Sequence, residues 1–197
     1  MSLIIAIKEK DRVVIGADTQ TTSGDVYIKC YSPNNLKIWN VEKNNLVFAH
    51  CGNKRDSNIV KLIKDYEFDG ELTFEAVVHS ILPRIKKELD EYKYNVADEH
   101  GNLMFDSKFI VASKNNAFLI DSNGCVLEIE NYIAVGNGED EALLLLDFTK
   151  EKKAEERIIE IIRAVSNRHL YVGSDVVIVD TKNPTNINTF KQWIIKR

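Results

Sequence analysis

Residues 2–18, SLIIAIKEKDRVVIGAD, contain the pattern that decides the fold. An apolar run at residues 3–7 is followed by four polar residues, 9–12, and then by a second apolar run at residues 13–15. Two short apolar runs on either side of a polar turn are typical of a β-hairpin. The sequence therefore predicts that this segment forms two antiparallel strands.

The predicted hairpin brings Asp18, sixteen residues after Ser2, back to the level of Ser2. Once Met1 is removed, Ser2 supplies a hydroxyl nucleophile and an α-amine in the same residue. An α-amine has a pKa of about 8, so it can take the hydroxyl proton as a general base. Ser2 is therefore a candidate catalytic nucleophile, with the carboxylate of Asp18 beside it.

The composition is that of a globular protein, with 44% apolar and 28% charged residues in 197. We predict a single domain over residues 1–197, because this length suffices for one core and contains no linker-like or repeated segment. The net charge of −4 gives no reason to expect nucleic acid as a partner. No membrane contact is expected, because no apolar run approaches the about 18–20 residues of a span and no signal peptide is present. Three widely spaced cysteines predict reduced thiols in a cytoplasmic location.

Predicted strands and helices occur in blocks rather than in alternation. Strands are predicted at residues 26–29, 36–39, 46–49, 108–112, 117–120, 125–129, 175–179 and 189–195, and helices at 56–66, 73–92, 139–148 and 154–165. This order differs from the repeating strand–helix pattern of a parallel sheet. The sequence therefore predicts an α+β fold of two antiparallel sheets with helix pairs packed outside them.

Residues 13–25, VVIGADTQTTSGD, resemble the opening of proteasome β-subunits and of the HslV-type bacterial protease. In that family a strand ending in Gly-Ala-Asp or Gly-Gly-Asp is followed by Thr and Gly, and the N-terminal nucleophile lies sixteen residues before the Asp. Ser2 and Asp18 have this spacing, and Gln20 is closer to the HslV-type branch. The resemblance implies the four-layer αββα sandwich of N-terminal-nucleophile hydrolases.

The resemblance also implies roles for residues near the hairpin. Asp18 is expected to hold a buried lysine, for which Lys37 fits best and Lys29 is the alternative. A buried ammonium near Ser2 would lower the pKa of the hydroxyl and of the α-amine, and Asp18 would offset its burial cost. The segment FAHCG, residues 48–52, resembles the family's turn between a strand and the first helix, where the backbone N–H of Gly52 would stabilise an oxyanion.

Four further site residues follow from the same resemblance. Thr21 and Thr22 would lie on the substrate-binding rim. The segment AVGNG, residues 134–138, resembles the family's A-I-G-S-G turn, and Asn137 stands where a serine supports the N-terminal amine. Near residue 169 the family has an aspartate that supports the nucleophile, and His169 stands at that position here.

Three functions are compatible with these residues. The first is a peptidase in which Ser2 attacks a peptide carbonyl and forms an acyl-enzyme. The second is a catalytically silent assembly or binding protein, favoured by Asn137 and His169 at the two support positions. The third is an amidohydrolase that acts on small amides, which the same fold would support equally well.

The resemblance implies a peptide or unfolded-protein substrate, a homo-oligomeric ring and an ATPase unfoldase as a possible partner. No cofactor is expected. A metal site is not expected either, because the four histidines have no metal-ligand spacing among themselves or with the cysteines.

Overall fold

A computed structural model describes residues 2–23, 26–68, 70–92, 100 and 104–191, and its first antiparallel sheet contains the predicted hairpin. Numbered along the chain, the strands of this sheet lie in the order β10 (Tyr132–Gly136), β1 (Leu3–Lys8), β2 (Val13–Asp18), β11 (Val176–Asp180) and β12 (Ile187–Phe190). Ile4 of β1 pairs with Ala17 of β2. The end of β2 therefore lies beside the start of β1, as the sequence predicts.

The second antiparallel sheet lies in the middle of the sequence. Its strands follow chain order: β5 (Ile38–Val41), β6 (Leu46–Gly52), β7 (Ser107–Ala112), β8 (Ala117–Ile120) and β9 (Val126–Glu128). A separate two-stranded hairpin consists of β3 (Gln20–Ser23) and β4 (Val26–Lys29). This hairpin continues directly from the strand that ends at Asp18.

The helices form two groups, one inserted between β6 and β7 and one between β10 and β11. They are α1 (Lys54–Val60), α2 (Phe74–Ala76), α3 (Leu82–Glu91), α4 (Glu139–Phe148) and α5 (Ala154–Ser166). Thr73 caps α2, because its side chain accepts a hydrogen bond of 3.2 Å from Ala76 N. A π-helical turn joins α2 to α3, and Pro83 lies in the first turn of α3, so the helix widens before the proline instead of ending.

Three apolar clusters separate four layers. One lies between the second sheet and α1–α3, one between the two sheets, and one between the first sheet and α4–α5. Their central side chains include Phe48, Tyr66 and Phe109 in the first, Ile4, Val47 and Ile110 in the second, and Leu3, Ile158 and Ile162 in the third. The predicted αββα sandwich is therefore confirmed.

Helix α5 packs directly on the backbone of β2. A Cβ atom added at Gly16 would lie 2.2 Å from Cγ2 of Ile158, so only a glycine permits this approach. The contact fixes β2, the strand that ends at Asp18, between α5 and the second sheet.

Several predicted boundaries differ from the structure. Lys37, predicted inside a strand, lies just before β5, and the predicted helix 56–66 begins at Lys54 and ends at Val60. Of the predicted strand 189–195, residues 189–190 belong to β12, and residues 192–195 lie outside the described part of the chain.

The single-domain assignment stays a prediction. Within the described ranges, none of the helices has the length and apolar character needed to cross a membrane.

Candidate functional site

Ser2 lies immediately before β1, an inner strand of the first sheet, and is buried with 4% of its surface exposed. Its backbone oxygen accepts a hydrogen bond of 2.8 Å from Asn137 N, in the turn between β10 and α4. The thiol of Cys51, near the end of β6, contacts the same oxygen at 3.6 Å. Ser2 is therefore held between the two sheets by contacts from residues far away in the sequence.

The turn after β10 approaches Ser2 so closely that it requires a glycine. Gly136 has φ +112°, and a Cβ atom added there would lie 1.9 Å from the backbone oxygen of Ser2. Its N–H donates a 2.8 Å hydrogen bond to Oε2 of Glu139, in the first turn of α4. Glycine at residue 136 thus sets the position of Ser2.

Asp18 is completely buried at the end of β2 and accepts four hydrogen bonds. Oδ1 accepts from Lys37 Nζ at 2.7 Å and from Leu3 N at 2.9 Å. Oδ2 accepts from Gly173 N at 2.9 Å and from Gln20 N at 3.0 Å. One carboxylate oxygen therefore joins the ammonium group of Lys37 to the residue that follows Ser2.

Of the two lysines that the sequence offers as partners of Asp18, Lys37 lies at the carboxylate and Lys29 does not. The side chain of Lys37 is 5% exposed, so its charge is buried together with its partner. Lys29 instead contacts Oδ2 of Asp175 at 2.9 Å. Tyr31 donates to the same oxygen at 2.5 Å, and this hydrogen bond, together with burial, raises the pKa of Tyr31 to about 12.

Gly52 ends β6 and turns the chain toward α1. Its φ is +129°, and an added Cβ atom would lie 2.3 Å from the backbone oxygen of Asp106. Asn53 N donates to Asp106 O at 2.9 Å and to Ser107 Oγ at 3.1 Å. Since Gly52 follows Cys51, which contacts Ser2, this turn lies at the same end of the second sheet as Ser2.

A buried polar network that sequence reasoning missed lies beneath this turn. His50 Nε2 lies 3.0 Å from Ser107 Oγ, and that hydroxyl donates a 2.7 Å hydrogen bond to Oδ2 of Asp56. Because the only hydroxyl proton of Ser107 points to Asp56, the imidazole of His50 donates to Ser107. Burial, reinforced by the charge of Lys54, lowers the pKa of His50 from 6.5 to about 3, so the imidazole is neutral.

The buried His50 predicts a loss of stability in mild acid. In the unfolded chain His50 takes up a proton below about pH 6.5, whereas in the folded protein it does so only near pH 3. The contribution of His50 to the free energy of unfolding is therefore complete above pH 6.5 and falls as the pH is lowered toward 3. The expected slope is about 1.4 kcal/mol per pH unit. Burial raises the pKa of Asp56, which opposes this trend at the acidic end. Denaturant unfolding between pH 7 and 5 should show a shallower slope for His50→Gln than for the wild type; equal slopes would contradict the assignment.

Thr21 and Thr22 lie on the β3–β4 hairpin, outside the two main sheets. The hydroxyl of Thr21 accepts a 3.4 Å hydrogen bond from the thiol of Cys30. The hydroxyl of Thr22 is buried and, among the described residues, has no hydrogen-bond partner. A buried hydroxyl without a partner can accept or donate a hydrogen bond to a ligand.

His169 and Asn137 lie in different surroundings. His169 Nε2 contacts Oε1 of Glu141 at 3.0 Å, so its ring is paired with the first turn of α4. Asn137 reaches Ser2 through its backbone N–H. In the segment after α5, the contact with Asp18 comes from the backbone of Gly173, for which the sequence offered no local signal.

In the described part of the chain, no group of three or more His, Cys, Asp or Glu residues could hold a metal ion.

Comparison with known proteins matches residues 2–180 to the family model described as proteasome subunit. The ATP-dependent protease subunit HslV of Borreliella burgdorferi strain ZS7 is 23% identical over 184 residues, covering 91% of this chain and 96% of that protein. Among solved structures, Thiobacillus denitrificans BPH has a TM-score of 0.72 at 18% identity, covering 90% of this chain and 96% of the other. The same protein in complex with epoxomicin has a TM-score of 0.69 at 19% identity, with coverages of 90% and 97%.

Proposed function

The chain belongs to the proteasome subunit family, and on this basis we propose that it is an N-terminal-nucleophile peptidase. Ser2, exposed as the N-terminal residue when Met1 is removed, would cleave peptide bonds through an acyl-enzyme. The similarity to a protein named as a protease subunit supports a peptidase rather than another hydrolase.

The observation that carries this proposal is the bridging of Leu3 N and Lys37 Nζ by one oxygen of Asp18. This bridge puts the buried ammonium group of Lys37 close to the start of β1, immediately after Ser2. A positive charge in a buried site favours the deprotonated hydroxyl and the neutral amine. These are the two states that an N-terminal nucleophile needs.

In the proposed reaction, the α-amine of Ser2 takes the proton of the Ser2 hydroxyl as Oγ attacks the scissile carbonyl carbon. The resulting oxyanion is stabilised by the backbone N–H of Gly52. The amine then gives the proton to the leaving nitrogen, the C–N bond breaks, and an ester joins the acyl group to Ser2. A water molecule, deprotonated by the same amine, hydrolyses the ester and restores the hydroxyl.

The remaining candidate residues have supporting roles in this proposal. Asn137 holds the backbone of Ser2 in place, and Thr21 and Thr22 bind the substrate backbone along the β3–β4 hairpin. His169 acts only indirectly, since its ring is paired with Glu141. Its effect would pass through the segment that leads to Gly173 and Asp18.

We also propose that the protein assembles into a ring and acts with an ATPase on peptides or unfolded proteins. The HslV relative is named as a subunit of an ATP-dependent protease, which supports both the assembly and the ATPase partner. Large apolar side chains that remain exposed support the assembly, notably Phe148 on α4 and Leu170, each 74% exposed. The three free cysteines are consistent with a cytoplasmic location, which stays a prediction.

A catalytically silent assembly protein is the second candidate. The observation that favours it is the pairing of His169 with Glu141, which leaves Gly173 N as the contact of that segment with Asp18. Such a protein would form rings without turnover.

Turnover of a substrate panel by the purified, assembled protein distinguishes the candidates. We expect hydrolysis of fluorogenic peptides with an unblocked or blocked N-terminus. Hydrolysis of small amides but of no peptide would support an amidohydrolase, and assembled rings that hydrolyse neither would support the silent protein. Both of these results would overturn the peptidase proposal.

A further inference from the structure

Two half-buried lysines, Lys54 and Lys61, lie side by side without an acidic partner among the described residues. The ammonium group of Lys54 donates to Asn35 O at 2.8 Å. That of Lys61 donates to Asn34 O at 3.1 Å and to Leu36 O. Backbone carbonyls therefore solvate both charges, and within the described ranges no carboxylate neutralises them.

The two positive charges repel each other, and burial of each side chain further disfavours its charged form. Burial lowers the pKa of Lys54, and the nearby charge of Lys37 adds to the effect. Burial and then the closeness of Lys54 lower the pKa of Lys61 to about 7. An anion bound between the two would relieve both costs.

The pair lies next to the candidate active site. Lys54 lies two residues after Gly52 in the sequence. The backbone oxygens of residues 34–36, which accept hydrogen bonds from both ammonium groups, belong to the segment immediately before Lys37. The segment that leads to Lys37 therefore holds both ammonium groups.

The cavity that Lys61 lines presents hydrogen-bond donors among apolar side chains. It has a volume of about 510 Å³, and its lining includes Asn34, Trp39, Asn58 and Lys61. Lys61 Nζ lies 5.1 Å from the centre of the Trp39 ring. The indole N–H of Trp39 is buried and, within the described ranges, has no acceptor. Ammonium and indole groups only donate hydrogen bonds, so the ligand that satisfies them must supply acceptors.

We propose that Lys61, which lines this cavity, and Lys54 beside it together receive an acidic side chain of the substrate peptide next to the scissile bond. The inference rests on the proposed peptidase function and specifies its substrate class. The substrate carboxylate accepts hydrogen bonds from the two ammonium groups, and Asp or Glu is preferred over the neutral amides.

Two fluorogenic peptides that differ only in Glu or Gln before the fluorophore test the pocket on the full-length, assembled protein. A charge-assisted hydrogen bond predicts that kcat/KM is about tenfold or more higher for the Glu peptide. Lys54→Gln and Lys61→Gln should each bring this ratio toward one. Lys86→Gln, which removes an exposed charge paired with Asp90 on α3, should leave the ratio as in the wild type.

Binding of the same peptides to the Ser2→Ala protein, measured by calorimetry, separates this proposal from the peptidase proposal. Tighter binding of the Glu peptide, lost in Lys54→Gln, supports the pocket even if the wild type hydrolyses nothing. Equal affinity for the two peptides, or a Glu preference that survives both lysine substitutions, would overturn it even if the wild type is an active peptidase.

Discussion

Replacing Lys37 by Met is expected to lower peptide turnover by about a hundred- to a thousandfold and to destabilise the protein by about 3–5 kcal/mol. The turnover falls because the charge that favours the reactive states of Ser2 is lost. The stability falls because Asp18, which has no exposed surface, then carries a buried charge without its 2.7 Å ammonium partner. Urea unfolding and peptide hydrolysis, each at a fixed protein concentration, measure the two effects.

The double variant Asp18→Asn with Lys37→Met separates these effects. Removing both charges leaves no uncompensated ion, so we expect it to be more stable than Lys37→Met alone while remaining inactive. Lys43→Met is the matched control, because Lys43 pairs with Asp65 on the surface with 68% of its side chain exposed. A surface pair contributes at most about 1 kcal/mol. Near-wild-type turnover in the double variant would contradict the proposed role of Lys37.

Gly136→Ala is expected to displace Ser2 and lower turnover by about a hundredfold. The new Cβ atom would lie 1.9 Å from the backbone oxygen of Ser2, so one of the two strands must move. A shift of about 1 Å in a reacting group can cost about that factor in rate. The displacement would also break the hydrogen bond from Asn137 N to Ser2 O.

Gly70→Ala is the control for backbone strain. Gly70 also has a positive φ, +85°, but an added Cβ atom there meets no atom of the described residues within 4 Å. Alanine at residue 70 should cost about 1–2 kcal/mol of stability and leave turnover unchanged. If Gly136→Ala and Gly70→Ala have the same turnover, the close approach of Gly136 does not position Ser2.

The parts of the fold that depend on local patterns could be predicted from the sequence. The hairpin at residues 2–18 follows from two apolar runs and a polar turn, and its register alone places Asp18 beside the start of β1. The four helix-forming regions follow from apolar periodicity. The sequence favours Lys37 over Lys29, because an inward-pointing lysine between two apolar residues needs a partner, although the structure places Lys37 just before the strand.

Contacts between distant parts of the chain could not be predicted in this way. Gly173 N reaches Asp18 from 155 residues away, and no pattern around Gly173 marks it as a donor. The hydrogen bond of His50 could not be predicted either, because its partner Ser107 lies 57 residues later on the paired strand. The pairing of His169 with Glu141 likewise depends on how α4 and α5 pack.

The intact mass of the untagged protein, before and after treatment with a β-lactone, tests the central claim most directly. A β-lactone acylates a reactive hydroxyl by ring opening, so one whole inhibitor molecule is added to the mass. We predict a protein that has lost Met1 and gains one adduct, with no adduct on Ser2→Ala. A protein that retains Met1 and gains no adduct would contradict the assignment of Ser2 as the nucleophile.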